Sequence, residues 1–170
     1  MSDQQSPPAD PKDAPKHPVD ALVVTHHTLT TVDGDLAYTA RTGRIVVREE
    51  ETKDDVFKGW TARAEMSVTA YTLDDADPAG RPVTFVFNGG PGASSLWLHL
   101  GLLGPRVVDA GEPSAPTPPP YALIDNTRTL LRASDLVFID PMSTGWTRAV
   151  EGLSLIHISE PTRRTPISYA

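Results

Sequence analysis

The segment with most chemical content is Phe87-Asn88-Gly89-Gly90-Pro91-Gly92-Ala93-Ser94-Ser95. Consecutive glycines let a backbone take positive φ and come close to a ligand. N–H groups in such a turn form an anion-binding concavity, which a following helix N-terminus reinforces. Three chemistries use loops of this kind. A phosphate loop of the Walker type needs Gly-Lys-Ser/Thr, and no lysine follows here. A dinucleotide fingerprint needs a third glycine where Ser95 stands. An oxyanion hole needs only preorganised N–H donors aimed at developing negative charge. That reading stays open beside a tight strand-to-helix turn that holds no ligand.

A nucleophile does not accompany the loop. α/β hydrolases carry it in Gly-x-Ser-x-Gly, with the acid and the histidine following in chain order. The stretch Gly92-Ala93-Ser94-Ser95-Leu96 starts like that motif and ends in leucine. Ser94 and Ser95 read instead as helix caps. His26, His27 and His99 all precede the place where a triad histidine is expected, and His99, on an apolar helix, reads as a packed structural residue. Asp140 ends an apolar run, where functional acids sit, but Pro141 after it suits a structural turn equally well. With no cysteine, disulfides, thiolate metal sites and a cysteine nucleophile are excluded. No His-x-x-x-His or clustered His/carboxylate spacing occurs, so no metal and no cofactor is implied.

The elements that must position the loop read as strands. Residues 36–40 and 43–49 are short β-rich runs around a turn at Arg41-Thr42-Gly43, and residues 64–73 alternate apolar with polar. They predict a half-buried antiparallel ribbon. Residues 83–87 and 136–139 are almost continuously apolar, which predicts central strands buried on both faces. Residues 94–103 predict a helix stopped by Gly104-Pro105. Strands, glycine loop, helix, long loop, strand is the opening of an α/β sheet. Residues 113–120 are proline-rich and predict an exposed polyproline-like loop.

The chain has 170 residues, which suits one domain. Fifteen Lys and Arg against 22 Asp and Glu give a net charge of −7, which argues against nucleic acid and against an anionic membrane surface. No run of 18 apolar residues and no secretory leader is visible, so a cytoplasmic location is the expectation. Residues 1–20 contain five prolines with polar residues and predict a disordered Pro/Asp-rich tail. Residues 21–152 form the expected folded portion. Residues 153–170 shift in composition, and Leu-Ser-Leu-Ile-His-Ile-Ser-Glu-Pro-Thr-Arg reads as a translated sequencing adapter. That reading makes 153–170 a non-native tail, gives His157 and Ser168 no function, and expects the natural gene to continue past about Gly152.

Several separated motifs occur in one order. Asn88-Gly89-Gly90-Pro91-Gly92-x-Ser94-Ser95 is followed by Leu103-Gly104-Pro105, then Asp125-Asn126 with Thr129-Leu130-Leu131. Ser134-Asp135-Leu136-Val137-Phe138-Ile139-Asp140-Pro141 and Thr144-Gly145-Trp146 complete the set. Over roughly residues 34–149 the chain resembles the N-terminal part of the serine carboxypeptidase family. The resemblance implies a partial α/β-hydrolase sheet with an N-terminal antiparallel ribbon and its C-terminal part missing. It implies a serine-type carboxypeptidase, which hydrolyses C-terminal peptide bonds through a Ser-Asp-His triad. On the matching positions, Gly90 would give one oxyanion-hole N–H. Asn88 and the Gly89 N–H would hold the substrate's terminal carboxylate. The triad and the second oxyanion donor are absent from this chain, so the polypeptide itself is expected to be inactive. The implied partner is a peptide with a free C-terminal carboxylate.

Three positions depart from the family. Leu102 stands where a glutamate is frequent, which removes a carboxylate pair tuned to acidic pH. Ala93 stands where the family has a cysteine, and Ser143 replaces a usual glycine, which would tighten or distort one turn. Two other readings share the loop. One is a non-catalytic module that binds anionic or peptide C-termini. The other is a proline aminopeptidase-like hydrolase, whose family usually has histidine before the glycines, where Asn88 stands here.

Overall fold

The structure, a computed structural model, describes residues 18–89, 92–112 and 114–150. Three long antiparallel strands come first: β1 Ala21–Thr31, β2 Gly34–Lys53 and β3 Val56–Leu73. The register runs from Ala21↔Arg44 to Thr31↔Gly34, and from Tyr38↔Leu73 to Lys53↔Val56. Asp54 and Asp55 turn the second hairpin with φ of 54° and 57°. That is the two-residue geometry which matches strand twist, and which Asp tolerates better than most residues.

The expected break at Arg41-Thr42-Gly43 is absent, because β2 is one strand of 20 residues. Gly43 punctuates the sequence for another reason. It sits at φ +151°, and a Cβ there would run into the Ala21 carbonyl oxygen. The glycine permits a close approach of β1 rather than a turn. The threonine- and valine-rich β1 gave no strand reading from periodicity, yet its β-branched content suits one.

After β4, Val83–Val86, a single α turn α1, Leu96–Leu98, widens into a π-type turn over His99–Leu103. The expected ten-residue helix is therefore short and irregular, as befits a brief segment interrupted by Gly101. Two small ladders follow: β5 Arg106–Val108 with β8 Leu123–Asp125, and β6 Gly111–Glu112 with β7 Ala115–Pro116. The proline-rich loop is thus partly paired rather than wholly polyproline-like. A 3₁₀ turn, Leu130–Arg132, leads into β9 Asp135–Ile139, and β10 Arg148–Ala149 pairs with β3.

The main sheet has the order β1-β2-β3-β9-β4. β9 is antiparallel to β3 and parallel to β4. The sheet is therefore mixed, an antiparallel ribbon continued by a parallel pair with a long crossover. Arg81 and Asp135 pin the start of that pair. Their side chains, both largely buried, meet at 2.6 Å, and Asp135 also accepts from the Leu73 N–H at 3.1 Å.

Cross-strand partners share a face. Leu29, Tyr38, Ala40, Val86, Leu136 and Phe138 gather on one side, where Leu131 joins them. Leu98, Leu103 and Leu130 pack against the same cluster. On the other side Val83 and Phe85 are 51% and 60% exposed. The central runs are thus covered on one face among the described residues, not on both. The turns that carry Leu98, Leu103, Leu130 and Leu131, between β4 and β9, pack on the Phe138 side.

Of the expected N-terminal tail, residues 1–17 lie outside the described residues. Asp20 is anchored: it accepts from the Val46 N–H at 2.8 Å and lies 3.6 Å from Arg48. The proposed adapter tail, residues 153–170, also lies outside the described residues. Among those described, no helix is long and apolar enough to cross a membrane.

Candidate functional site

Parallel strands of an open sheet send their following loops to the same end, where such sheets place ligands. β4 and β9 do so here. The loop after β9 is built on Asp140, a buried carboxylate. Its Oδ1 accepts from the Ser95 N–H and the Ser95 hydroxyl, each at 2.9 Å, and its Oδ2 from the Trp146 N–H at 3.4 Å. Thr147, wholly buried, donates its hydroxyl to the Asp140 carbonyl at 2.8 Å and accepts from the Ser67 N–H at 2.9 Å. The two loops and β3 are thus tied into one unit.

Two residues shape the Asp140 turn. Gly145 sits at φ +47°, and a Cβ there would collide with the Asp140 carboxylate. Ser143 sits at φ +63°, in the left-handed region that disfavours any side chain. The sequence departure at Ser143 is therefore a strained turn position.

These contacts give Asp140 a structural role in joining the two loops, with both its oxygens engaged. They also correct the reading of Ser95 as a cap. It occupies the N-cap position of α1 but makes no side-chain cap bond, and its hydroxyl serves Asp140. Ser94 accepts only loosely, from the Leu96 N–H at 3.5 Å.

His99 packs as the sequence suggested. Its ring stacks on Phe138 with centroids 4.4 Å apart, and its Nε2 lies 2.7 Å from the Tyr71 hydroxyl. Burial pushes the imidazole down to about 4, against the opposing influence of the Asp140 charge. Burial pushes the Tyr71 hydroxyl up to about 12, with Tyr38 adding to it. At neutral pH the pair is uncharged, so Tyr71 donates and His99 accepts. A base this weak does not activate a hydroxyl at neutral pH. His26 and His27 bond within the ribbon instead, to Thr39 at 2.9 Å and Thr25 at 2.8 Å.

Of the residues expected to bind substrate, Asn88 is half-buried and donates its amide to the Gly89 carbonyl at 3.1 Å. Gly89 is exposed, and a Cβ on it would meet nothing within 4 Å. Gly90, the expected oxyanion donor, lies outside the described residues. Leu102 is exposed, and its carbonyl accepts from the Asn126 amide at 2.8 Å.

The main cleft, about 590 Å³, opens beside this loop pair rather than over Asn88 and Gly89. Its lining combines the apolar Leu96, Leu100 and Phe138 with His99, Ser95 and Asp140. It shares Thr42, Ser67, Trp146 and Arg148 with an adjoining recess that also reaches Gly43 and Arg44. Sequence reasoning missed this group. Arg44 and Arg148 are brought together only because β2 and β10 both pair with β3. Compared with known proteins, the chain matches no family profile and no curated protein.

Proposed function

We propose that this chain supplies part of the site of a serine-type carboxypeptidase-like hydrolase built on an α/β-hydrolase sheet. In this reading Asn88 and the Gly89 N–H hold the terminal carboxylate of a peptide. The Gly90 N–H polarises the scissile carbonyl, and the nucleophile and its histidine come from outside the chain. An amide side chain and backbone N–H groups are suitable neutral donors for a carboxylate, and an oxyanion hole needs donors fixed before the reaction. The observation that carries the reading is the tie between Asp140 and Ser95. It fastens the glycine loop to the turn after β9, at the carboxyl end of a parallel strand pair. The motif order from Asn88 to Trp146 adds to it.

The test is titration with an N-acetylated dipeptide as free acid and as amide, following the Asn88 side-chain resonances. The free acid is expected to shift them saturably, the amide at least tenfold more weakly, and Asn88→Ala to abolish the difference. Hydrolysis by the chain alone is expected to be absent, and serine-dependent peptidase activity from it would overturn the division of labour. Equal binding of acid and amide would sink the carboxylate clamp. Because the sequence has no Gly-x-Ser-x-Gly, a second reading stands: a non-catalytic module that binds anionic or peptide C-termini. It predicts the same binding, with no gain of hydrolysis when the remainder of the gene product is supplied.

A further inference from the structure

The adjoining recess, about 450 Å³, is lined by Thr42, Gly43, Arg44, Ser67, Trp146 and Arg148. Two arginines line this concavity, and its lining holds no carboxylate, in a chain whose net charge is −7. The two cations are not equivalent. Arg44 is neutralised by Glu65, at 3.0 Å. Arg148 donates to the Thr147 carbonyl at 2.7 Å and has no carboxylate within ion-pair reach among the described residues. Asp140, in the lining of the main cleft, has its oxygens engaged by Ser95 and Trp146 and does not answer Arg148. Glu65, opposite Arg148 across the β3–β10 pair, is the partner of Arg44, so among the described residues the recess carries one unmatched positive charge.

The rest of the lining suits an oxyanion on an apolar body. Thr42 and Ser67 bring hydroxyls, and Thr42 lies 2.9 Å from the Thr69 hydroxyl. Trp146 is 80% exposed, so its indole face is free for a flat group. The adjoining cleft, which Trp146 also lines, adds the apolar Leu96 and Leu100. A guanidinium fork matches a planar carboxylate bidentately. Pockets of this kind bind through apolar walls with a few polar groups that fix orientation.

We propose that this recess is a binding site for a small aromatic carboxylate, with its carboxylate on Arg148 and its ring against Trp146. One unmatched cation balances one negative charge, so a monoanion fits better than a phosphate dianion. The site stands apart from Asn88 and Gly89 and does not depend on the carboxypeptidase reading.

The test is titration of the full chain with benzoate, benzamide and inorganic phosphate, following the Trp146 indole N–H and the Arg148 Nε–H resonances. Benzoate is expected to shift both saturably, with benzamide at least tenfold weaker. Arg148→Gln should weaken benzoate at least tenfold and Arg148→Lys less, while Asn88→Ala should leave its affinity unchanged. An N-acetylated dipeptide acid in the same titration separates the two sources of a carboxylate. Tighter binding of benzoate assigns a free aromatic acid. Tighter, Arg148-dependent binding of the dipeptide moves the ligand to a peptide terminus and overturns the small-acid assignment. Equal binding of benzoate and benzamide, survival of benzoate binding in Arg148→Gln, or tighter binding of phosphate would each overturn the proposal. Should Arg148→Gln not fold, Arg148→Lys and the acid–amide comparison on the unaltered chain still decide it.

Discussion

Two single residues in the site bear on stability, one through backbone conformation and one through its titration. Ser143 holds a left-handed backbone, which costs an L-residue roughly 1–2 kcal/mol. Glycine removes that cost and gives back part of it as extra freedom of the unfolded chain. Ser143→Gly is therefore expected to stabilise the protein by up to about 1 kcal/mol in urea melts. A destabilised variant would mean that the turn is not left-handed there. His99 makes stability depend on pH with a definite sign. Its folded value, about 4, lies below the usual 6.5 because burial disfavours the charged ring. Above 6.5 neither state takes the proton, and the stabilisation is fully present. Between 6.5 and 4 the unfolded chain takes a proton that the folded one refuses, so stability falls as pH drops. The loss from this group approaches about 3 kcal/mol below pH 4, at about 1.4 kcal/mol per pH unit. His99→Phe keeps the contact with Phe138 and removes the titration. Urea melts at pH 7.5, 5.5 and 4.5 should show a smaller decline for the variant than for the parent, and parallel declines would remove His99 as the cause.

At the scale of elements, the crossover is held by polar side chains more than by helix. Asn126, buried, donates its amide to the Leu102 and Gly104 carbonyls at 2.8 Å each, and Thr129 donates to the Leu103 carbonyl at 2.8 Å. These bonds satisfy the carbonyls left free where the π-type turn ends. Asn126→Asp turns the double donor into an acceptor facing two carbonyl oxygens. It should cost about 3 kcal/mol, more than Asn126→Ala, by thermal or urea melts. If the aspartate were the milder change, the amide would not be the fastening. Asn126 and Thr129 were legible in the sequence only as members of a motif, since hydrogen-bond partners more than 20 residues away leave no local trace. The strands around them were legible in part. The runs at β4 and β9 have an apolar content that no loop tolerates, and both formed near their expected bounds. β1 was missed because its threonines and histidines blur the alternation. β2 was split because Gly43 looks like punctuation until its contact with Ala21 is seen. The helix was overestimated because the leucine-rich stretch 96–103 after a serine pair fits a helical pattern, while its backbone bonds go to a π-type turn and to Asn126. Of the site, the glycine loop and Asp140 were visible. The recess at Arg44 and Arg148 was not, because strand pairing alone brings residues 104 positions apart into one wall.

At the scale of the whole molecule, the mixed sheet is covered unevenly. The side of Leu136 and Phe138 is sealed by the turns of the crossover, and both residues are essentially buried. On the opposite side Val83 and Phe85 stand exposed on β4, with Val137 and Ile139 half-buried beside them on β9. Cross-strand pairing joins these side chains into one apolar area, since Phe85 lies opposite Val137 and Val137 opposite Ala70. β4 pairs only with β9 among the described strands, so its other edge is open as well. An exposed apolar face beside an unpaired edge is a template for association. The chain is expected to bind a hydrophobic dye such as ANS and to self-associate at concentrations used for sedimentation velocity. Phe85→Lys puts a charge at the centre of that face and next to the edge. Because Phe85 is more than half exposed, the substitution should cost less than about 1 kcal/mol of stability, while lowering both dye binding and the sedimentation-detected association. The two readouts separate the alternatives. A loss of several kcal/mol would show that Phe85 is buried by part of the chain, and unchanged association with unchanged stability would place the contact elsewhere on the surface.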